Sequence, residues 1–150
     1  NLEDTVAFSP PVPMSEVVQA ASTSDIGIIP YKPVCLNNRY STPNKLFEFM
    51  TAGLSVVASD LPELKKVIES EKIGLTFEAG SAESIATAIN TLASDPERVT
   101  KMRAKARSAA QRRHNWTVEE KKLVSAYKHI PTPKGLSRIW KIQHAVRQYL

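Results

Sequence analysis

The chain has 150 residues, is 42% hydrophobic and carries a formal net charge of +5 at neutral pH; that is enough for one domain with its own core, and no apolar run approaches the roughly 20 residues that span a bilayer. The single cysteine, Cys35, excludes an internal disulfide framework and suits a reducing compartment. The histidines, His114, His129 and His144, form no HExxH pair and have no cysteine partners, so metal chemistry is not expected.

The opening residues, Asn1-Leu2-Glu3-Asp4-Thr5, have neither the basic start nor the apolar stretch of a signal peptide. With no Met and a strand-like pattern from the outset, they are expected to lie inside a longer protein. Thr5–Phe8 is a strand candidate, followed by the Pro-rich turn Ser9–Pro13 and helical apolar spacing at Val17, Val18 and Ala21. Ile26–Ile29 is a continuous apolar run ending at Pro30, the pattern of a strand buried on both faces of a parallel sheet. Tyr31 to about Thr42 reads as a loop. Pro43–Ala52 predicts a helix: Ser41 or Thr42 is placed to cap it, Pro43 suits its first turn and Gly53 ends it. Ser55–Ala58 is a further buried strand, and Asp60 and Pro62 mark the start of a helix to about Ser70. Gly74–Phe77 is the fourth strand candidate. Ser81 caps a helix with Ile85, Ile89 and Leu92 on one face, and two more helices follow, at about Pro96–Arg113 and Val118–Tyr127.

Strands alternating with helices imply right-handed crossovers and an α/β fold, a Rossmann-like parallel sheet with helices on both faces. Four strands fall short of the usual six, so the front of the domain is expected to be missing. The partial domain is taken as residues 1–130. Pro131–Gly135 reads as a linker, and Leu136–Leu150 as an amphipathic helix carrying Arg138, Lys141 and Arg147. The charge is uneven. Residues 1–97 hold 6 Lys/Arg against 13 Asp/Glu, whereas residues 98–150 hold 14 against 2. So basic an end implies an anionic neighbour, such as a membrane surface, a nucleic acid or an acidic companion domain, unless it is a solvated helical face.

In open parallel sheets, ligands bind beyond the carboxyl ends of the strands, near helix N-termini. The loop after Ile29 leads into the helix that opens at Ser41-Thr42-Pro43-Asn44. Its first backbone N–H groups have no intrahelical acceptor and carry partial positive charge, which suits a diphosphate. Lys45 adds a mobile cation, and Glu48, one turn deeper, offers a carboxylate to two neighbouring sugar hydroxyls. A surface Lys and Glu on an ordinary helix is the plain alternative. Asn37, Asn38 and Arg39 lie in the preceding loop and are weaker candidates. Asp60 is read as a cap rather than a catalytic group, Cys35 as an ordinary loop cysteine, and Trp116 and Trp140 as packing residues.

The run Ser41-Thr42-Pro43-Asn44-Lys45-Leu46-Phe47-Glu48-Phe49-Met50-Thr51-Ala52-Gly53-Leu54-Ser55-Val56-Val57-Ala58-Ser59-Asp60-Leu61-Pro62-Glu63 resembles the donor-binding signature of the retaining GT-B glycosyltransferases often called glycosyltransferase family 4, or glycosyl transferases group 1. Ala20–Tyr31 is similar to the family's strand ending in Pro, Ile73–Phe77 to its Gly-led strand, and Asn115-Trp116 with the helix after it to its closing segment. The resemblance covers about residues 5–128 and implies the C-terminal, donor-binding domain. Glu48 matches the second acid of the family's E-x7-E pair, which holds the ribose. The first acid would fall at position 40, where this chain has Tyr40, a phenol that can make one hydrogen bond but brings no charge. Ser41-Thr42-Pro43-Asn44-Lys45 fits the S-x-P-x-K variant of the motif. The family's Arg/Lys pair on the first strand and loop, and its acceptor domain, are absent from this sequence.

The resemblance thus implies a glycosyltransferase that binds a nucleoside-diphosphate sugar and transfers the sugar with retention to a polysaccharide, a lipid-linked acceptor or another cell-envelope glycan. The expected donor site is Tyr40, Ser41, Thr42, Pro43, Asn44, Lys45 and Glu48, with no catalytic residue assigned and no cofactor or metal. Expected partners are the donor, the missing N-terminal acceptor domain and an anionic membrane surface, with no nucleic acid, in a cytoplasmic protein peripheral on the inner face of the membrane. The competing readings are a related GT-B sugar-nucleotide epimerase and a non-catalytic basic module that binds polyanions or membrane.

Overall fold

A computed structural model of the chain describes residues 4–128. The expected linker and helix at 131–150, with the boundary near residue 130, lie outside the described residues. Two compact units divide the chain, the first ending at Asn115 and the second beginning at Trp116.

The first unit holds a parallel sheet of three strands, β1 (Ile26–Ile29), β2 (Ser55–Ser59) and β3 (Gly74–Phe77), in that spatial order. β1 pairs with β2 from Ile26↔Ser55 to Ile29↔Ala58, and β2 with β3 from Val56↔Gly74 to Ser59↔Phe77. β2 is central and every one of its residues is buried, which is why it reads as an apolar run without alternation. The fourth expected strand is not formed. Residues 6–13 have no regular structure, with Val6 49% and Phe8 95% exposed. A strand persists only where a neighbour takes its N–H and C=O groups; among the described residues no strand pairs with this stretch, and Pro10, Pro11 and Pro13 have no N–H to offer.

Helices complete both layers. A 3₁₀ turn at Met14–Glu16 leads into α1 (Val17–Ala21). Where a loop was expected, a short helix α2 (Leu36–Tyr40) forms, its start held by the Cys35 thiol, which accepts from the Asn38 N–H at 3.5 Å. α3 (Asn44–Ala52) follows, then α4 (Pro62–Glu71), α5 (Ala82–Ala93) and α6 (Pro96–Arg112). α3, α4 and the later part of α6 bury Leu46, Met50, Leu64, Ile68, Ala106 and Ala109 against Ile29, Val56 and Ala58. On the opposite face, α5 and the start of α6 bury Ala88, Leu92, Val99 and Met102 against Val57 and Phe77. The side chains of α6 thus reach both layers. Fully burying a Leu or Met of this kind stabilises by about 1.5–3 kcal/mol.

Side chains cap the starts of α5 and α6 but not those of α3 and α4. Ser81 Oγ accepts from Ser84 N at 3.1 Å, and Asp95 Oδ1 from Arg98 N at 2.9 Å, both as N-caps. α3 instead begins with Pro43 at the cap position and no side-chain cap bond, so neither Ser41 nor Thr42 caps it. Both lie upstream of the cap position that Pro43 fills. Nor does Asp60 cap α4. Leu61 occupies that position, and Asp60 Oδ1 accepts from the Ala79 N–H, 19 residues away, at 3.1 Å.

The second unit contributes α7 (Trp116–Lys128), on which no residue is buried. Trp116, at 64% exposure, is therefore not the packing residue that the sequence suggested.

Candidate active site

The candidate site grows out of the exit of β1 and the entry of α3. Two features fix the height of α3 over the sheet. Gly27 of β1 lies directly beneath the Phe49 ring, and any Cβ there would run into the ring carbons. At the far end Gly53 takes φ +75°, the left-handed conformation in which a glycine ends a helix without strain. Phe47 also stacks obliquely on His114, with ring centroids 5.8 Å apart, and His114 Nε2 lies 3.2 Å from Glu71 Oε1. The helix is thereby clamped on its apolar side, and Glu48 is half-buried on the remaining face.

An open depression of about 620 Å³ lies at this end of the sheet, lined by Tyr31, Asn37, Asn38, Ser41, Thr42, Pro43, Asn44, Lys45 and Glu48. Of the seven residues expected from the sequence, six line it together. Tyr40 is not among them. It is 54% exposed, and the Arg39 guanidinium lies over its ring at 5.7 Å. The weaker candidates Asn37 and Asn38 do line the depression, whereas Arg39 does not. Tyr31 was missed. Its signal was its place directly after Pro30, at the carboxyl end of a strand, where ligands of such sheets gather.

The electrostatics of the depression are simple. The first backbone bond of α3 runs from Leu46 N to Pro43 O at 3.0 Å, and the amides of Asn44 and Lys45 have no acceptor among the described residues. Neither the Lys45 ammonium nor the Glu48 carboxylate has an ion-pair or hydrogen-bond partner among the described residues. A ready cationic tip and a carboxylate one turn in therefore share a concave surface with neutral amides and hydroxyls. Such a surface can take a phosphate at the tip and a diol beside Glu48. Among the described residues, no three His, Cys, Asp or Glu side chains are grouped to hold a metal ion, and no helix is long and apolar enough to cross a membrane.

Comparison with known proteins agrees with this architecture. Among curated proteins, none matches the chain in sequence. Among solved structures, the chain is similar to sucrose-phosphate synthase from Thermosynechococcus elongatus, with a TM-score of 0.71 and 23% identity over 86% of this chain. At that identity the likeness is one of fold, a GT-B glycosyltransferase fold, and the chain spans 31% of that synthase's length. The family described as glycosyl transferases group 1 matches residues 1–113. With a matching family over most of its length and the parallel α/β fold of a GT-B glycosyltransferase, the chain belongs to the glycosyl transferases group 1 family.

Proposed function

We propose that this chain is the donor-binding part of a retaining glycosyltransferase and that the depression at the start of α3 holds a nucleoside-diphosphate sugar. The observation that carries the reading is the group of unpartnered polar atoms on one concave surface: the Asn44 and Lys45 amides, the Lys45 ammonium and the Glu48 carboxylate. The amides and Lys45 take the diphosphate. Glu48 accepts hydrogen bonds from the two ribose hydroxyls. Ser41, Thr42, Asn37 and Asn38 are within the same wall and offer neutral donors and acceptors to the rest of the ligand.

In the transfer, the bond from the anomeric carbon to the phosphate oxygen breaks, and its electron pair stays on the diphosphate. The acceptor hydroxyl oxygen forms the new bond on the same face, and its proton passes to the departing phosphate. Negative charge grows on the leaving group while the sugar acquires oxocarbenium character. Fixed amide dipoles and a lysine aimed at that charge stabilise the transition state more than the ground state. This route requires no metal and no protein nucleophile. The acceptor, a polysaccharide or lipid-linked glycan, meets the donor through the rest of the enzyme.

Titration of UDP, GDP and their sugar forms by calorimetry, on wild type and Glu48→Ala, tests the assignment. Saturable binding of one of them, weakened about tenfold or more by Glu48→Ala with unfolding unchanged, is the expected result. No binding, or binding indifferent to Glu48, would remove the reading. A cytoplasmic protein held at an anionic membrane face completes the proposal. It is supported by the charge excess after residue 97 and by exposed Arg98, Lys101 and Lys105 on α6. Vesicle sedimentation that ignores anionic lipid content would argue against that localisation.

A further inference from the structure

Two polar side chains are wholly buried among the described residues, Ser55 and Ser59, at opposite ends of β2. A hydroxyl in an apolar interior needs a partner. Ser55 Oγ donates to the Val99 carbonyl of α6 at 3.2 Å, tying two packed elements together. Ser59 Oγ donates to the Tyr31 carbonyl at 2.7 Å, with a longer approach of 3.4 Å to the Ile29 carbonyl.

Pro30 explains why the Ser59 bond matters. The β1–β2 ladder ends at Ile29↔Ala58, and Pro30 has no N–H with which to extend it. Without another tether the chain would leave the sheet unheld just where the wall of the depression begins. Ser59 supplies that tether from the side. Its hydroxyl reaches past Pro30 and holds the backbone of Tyr31, whose side chain packs against the core and lines the depression with Glu48.

We propose that Ser59 is a positioning residue for the nucleotide site, acting through the backbone of Tyr31 and touching no ligand itself. The inference rests on the donor-site reading for its binding consequence, and on the hydrogen bond alone for its structural one. Ser55 is the internal control. It sits in the same strand with the same burial and one hydrogen bond, at the end away from the depression.

The test compares Ser59→Ala, Ser59→Cys and Ser55→Ala with wild type by calorimetry with UDP and GDP, thermal unfolding, and amide hydrogen exchange of residues 31–40. Both serine-to-alanine variants should unfold at lower temperature. Only Ser59→Ala should weaken nucleotide binding, about five- to tenfold, and speed exchange across 31–40. Ser59→Cys is close in volume and a weak donor, and it shifts both readouts the same way if the alanine variant fails to fold. Equal loss of affinity in the Ser55 and Ser59 variants, or exchange across 31–40 unchanged by either Ser59 substitution, would overturn the assignment. If wild type binds neither UDP nor GDP, the donor-site reading fails by itself, while the exchange data still decide whether the tether exists.

Discussion

α3 starts at one edge of the sheet and finishes at the other, and its two ends meet different surroundings. At its C-terminus the Ala52 carbonyl accepts from Arg107 Nη2 at 3.3 Å, and the Gly53 carbonyl accepts from Arg103 Nε at 2.9 Å. Arg103 also pairs with Asp25, beside the start of β1. The partial negative charge of that helix end is thus answered by cations of the same chain. At its N-terminus the amides of Asn44 and Lys45 have no protein acceptor among the described residues, and Lys45 and Glu48 have no partner there. The same helix chemistry is consumed internally at one edge and, among the described residues, left unpaired at the other. A second hollow, of about 440 Å³, does lie at the amino edge, lined by Val18, Ser22, Thr51, Ala52, Arg107, Ala110, Gln111 and Asn115. It is bordered by the C-terminal residues of α1 and α3, so it offers a diphosphate no open helix N-terminus, and its cation, Arg107, already donates to the Ala52 carbonyl.

If this contrast is right, substitutions at the two edges should separate stability from binding. The largest effect belongs to Arg103→Ala. Losing a charge-assisted bond to a buried carbonyl should cost about 1.5–3 kcal/mol in chemical unfolding, with the exposed Asp25 pair adding little, and nucleotide affinity should hold. An affinity loss in that variant would show that the edges are coupled. Next is Lys45→Met, expected to weaken nucleoside diphosphate binding about three- to tenfold, or roughly 0.7–1.4 kcal/mol. Its salt dependence should fall and its unfolding should stay unchanged, since Lys45 is exposed and has no ion pair or hydrogen bond among the described residues. The smallest effect is predicted for Asp60→Asn. The amide oxygen still accepts from the Ala79 N–H, so stability should move by less than about 0.5 kcal/mol, and binding not at all. Lost binding in Asp60→Asn would give that carboxylate a role beyond holding the β3–α5 loop.

The contrast also explains what could be read from the sequence. β2 was legible because a strand buried on both faces needs an uninterrupted apolar run. β1 and β3 were legible as short apolar runs, the first closed by Pro30 and the second opened by Gly74, although neither is buried on both faces, Ile28 being 37% exposed and Phe77 alone buried in β3. Gly53 and Ser81 were legible because helix ends impose local backbone and capping demands. Six of the seven expected residues line one depression because they lie within one stretch, Ser41 to Glu48, whose helix periodicity puts Lys45 and Glu48 on neighbouring turns. Whatever depended on a distant partner was not. Thr5–Phe8 has a strand's composition but no strand to pair with among the described residues. Asp60 looked like a cap, yet its acceptor oxygen serves Ala79. α2 was hidden because its cap is the Cys35 thiol rather than an oxygen. Tyr40 was placed at the site by motif spacing alone, and α2 turns it outward onto Arg39.

The donor-site proposal turns on two backbone amides, and backbone NMR during titration with UDP and GDP reads each of them. The Asn44 and Lys45 N–H resonances should move most, with Tyr31 and Glu48 following and Ala52 and Gly53 unmoved. Shifts centred on Ala52, Arg107 and Gln111, or none at the start of α3 at saturating nucleotide, would contradict it.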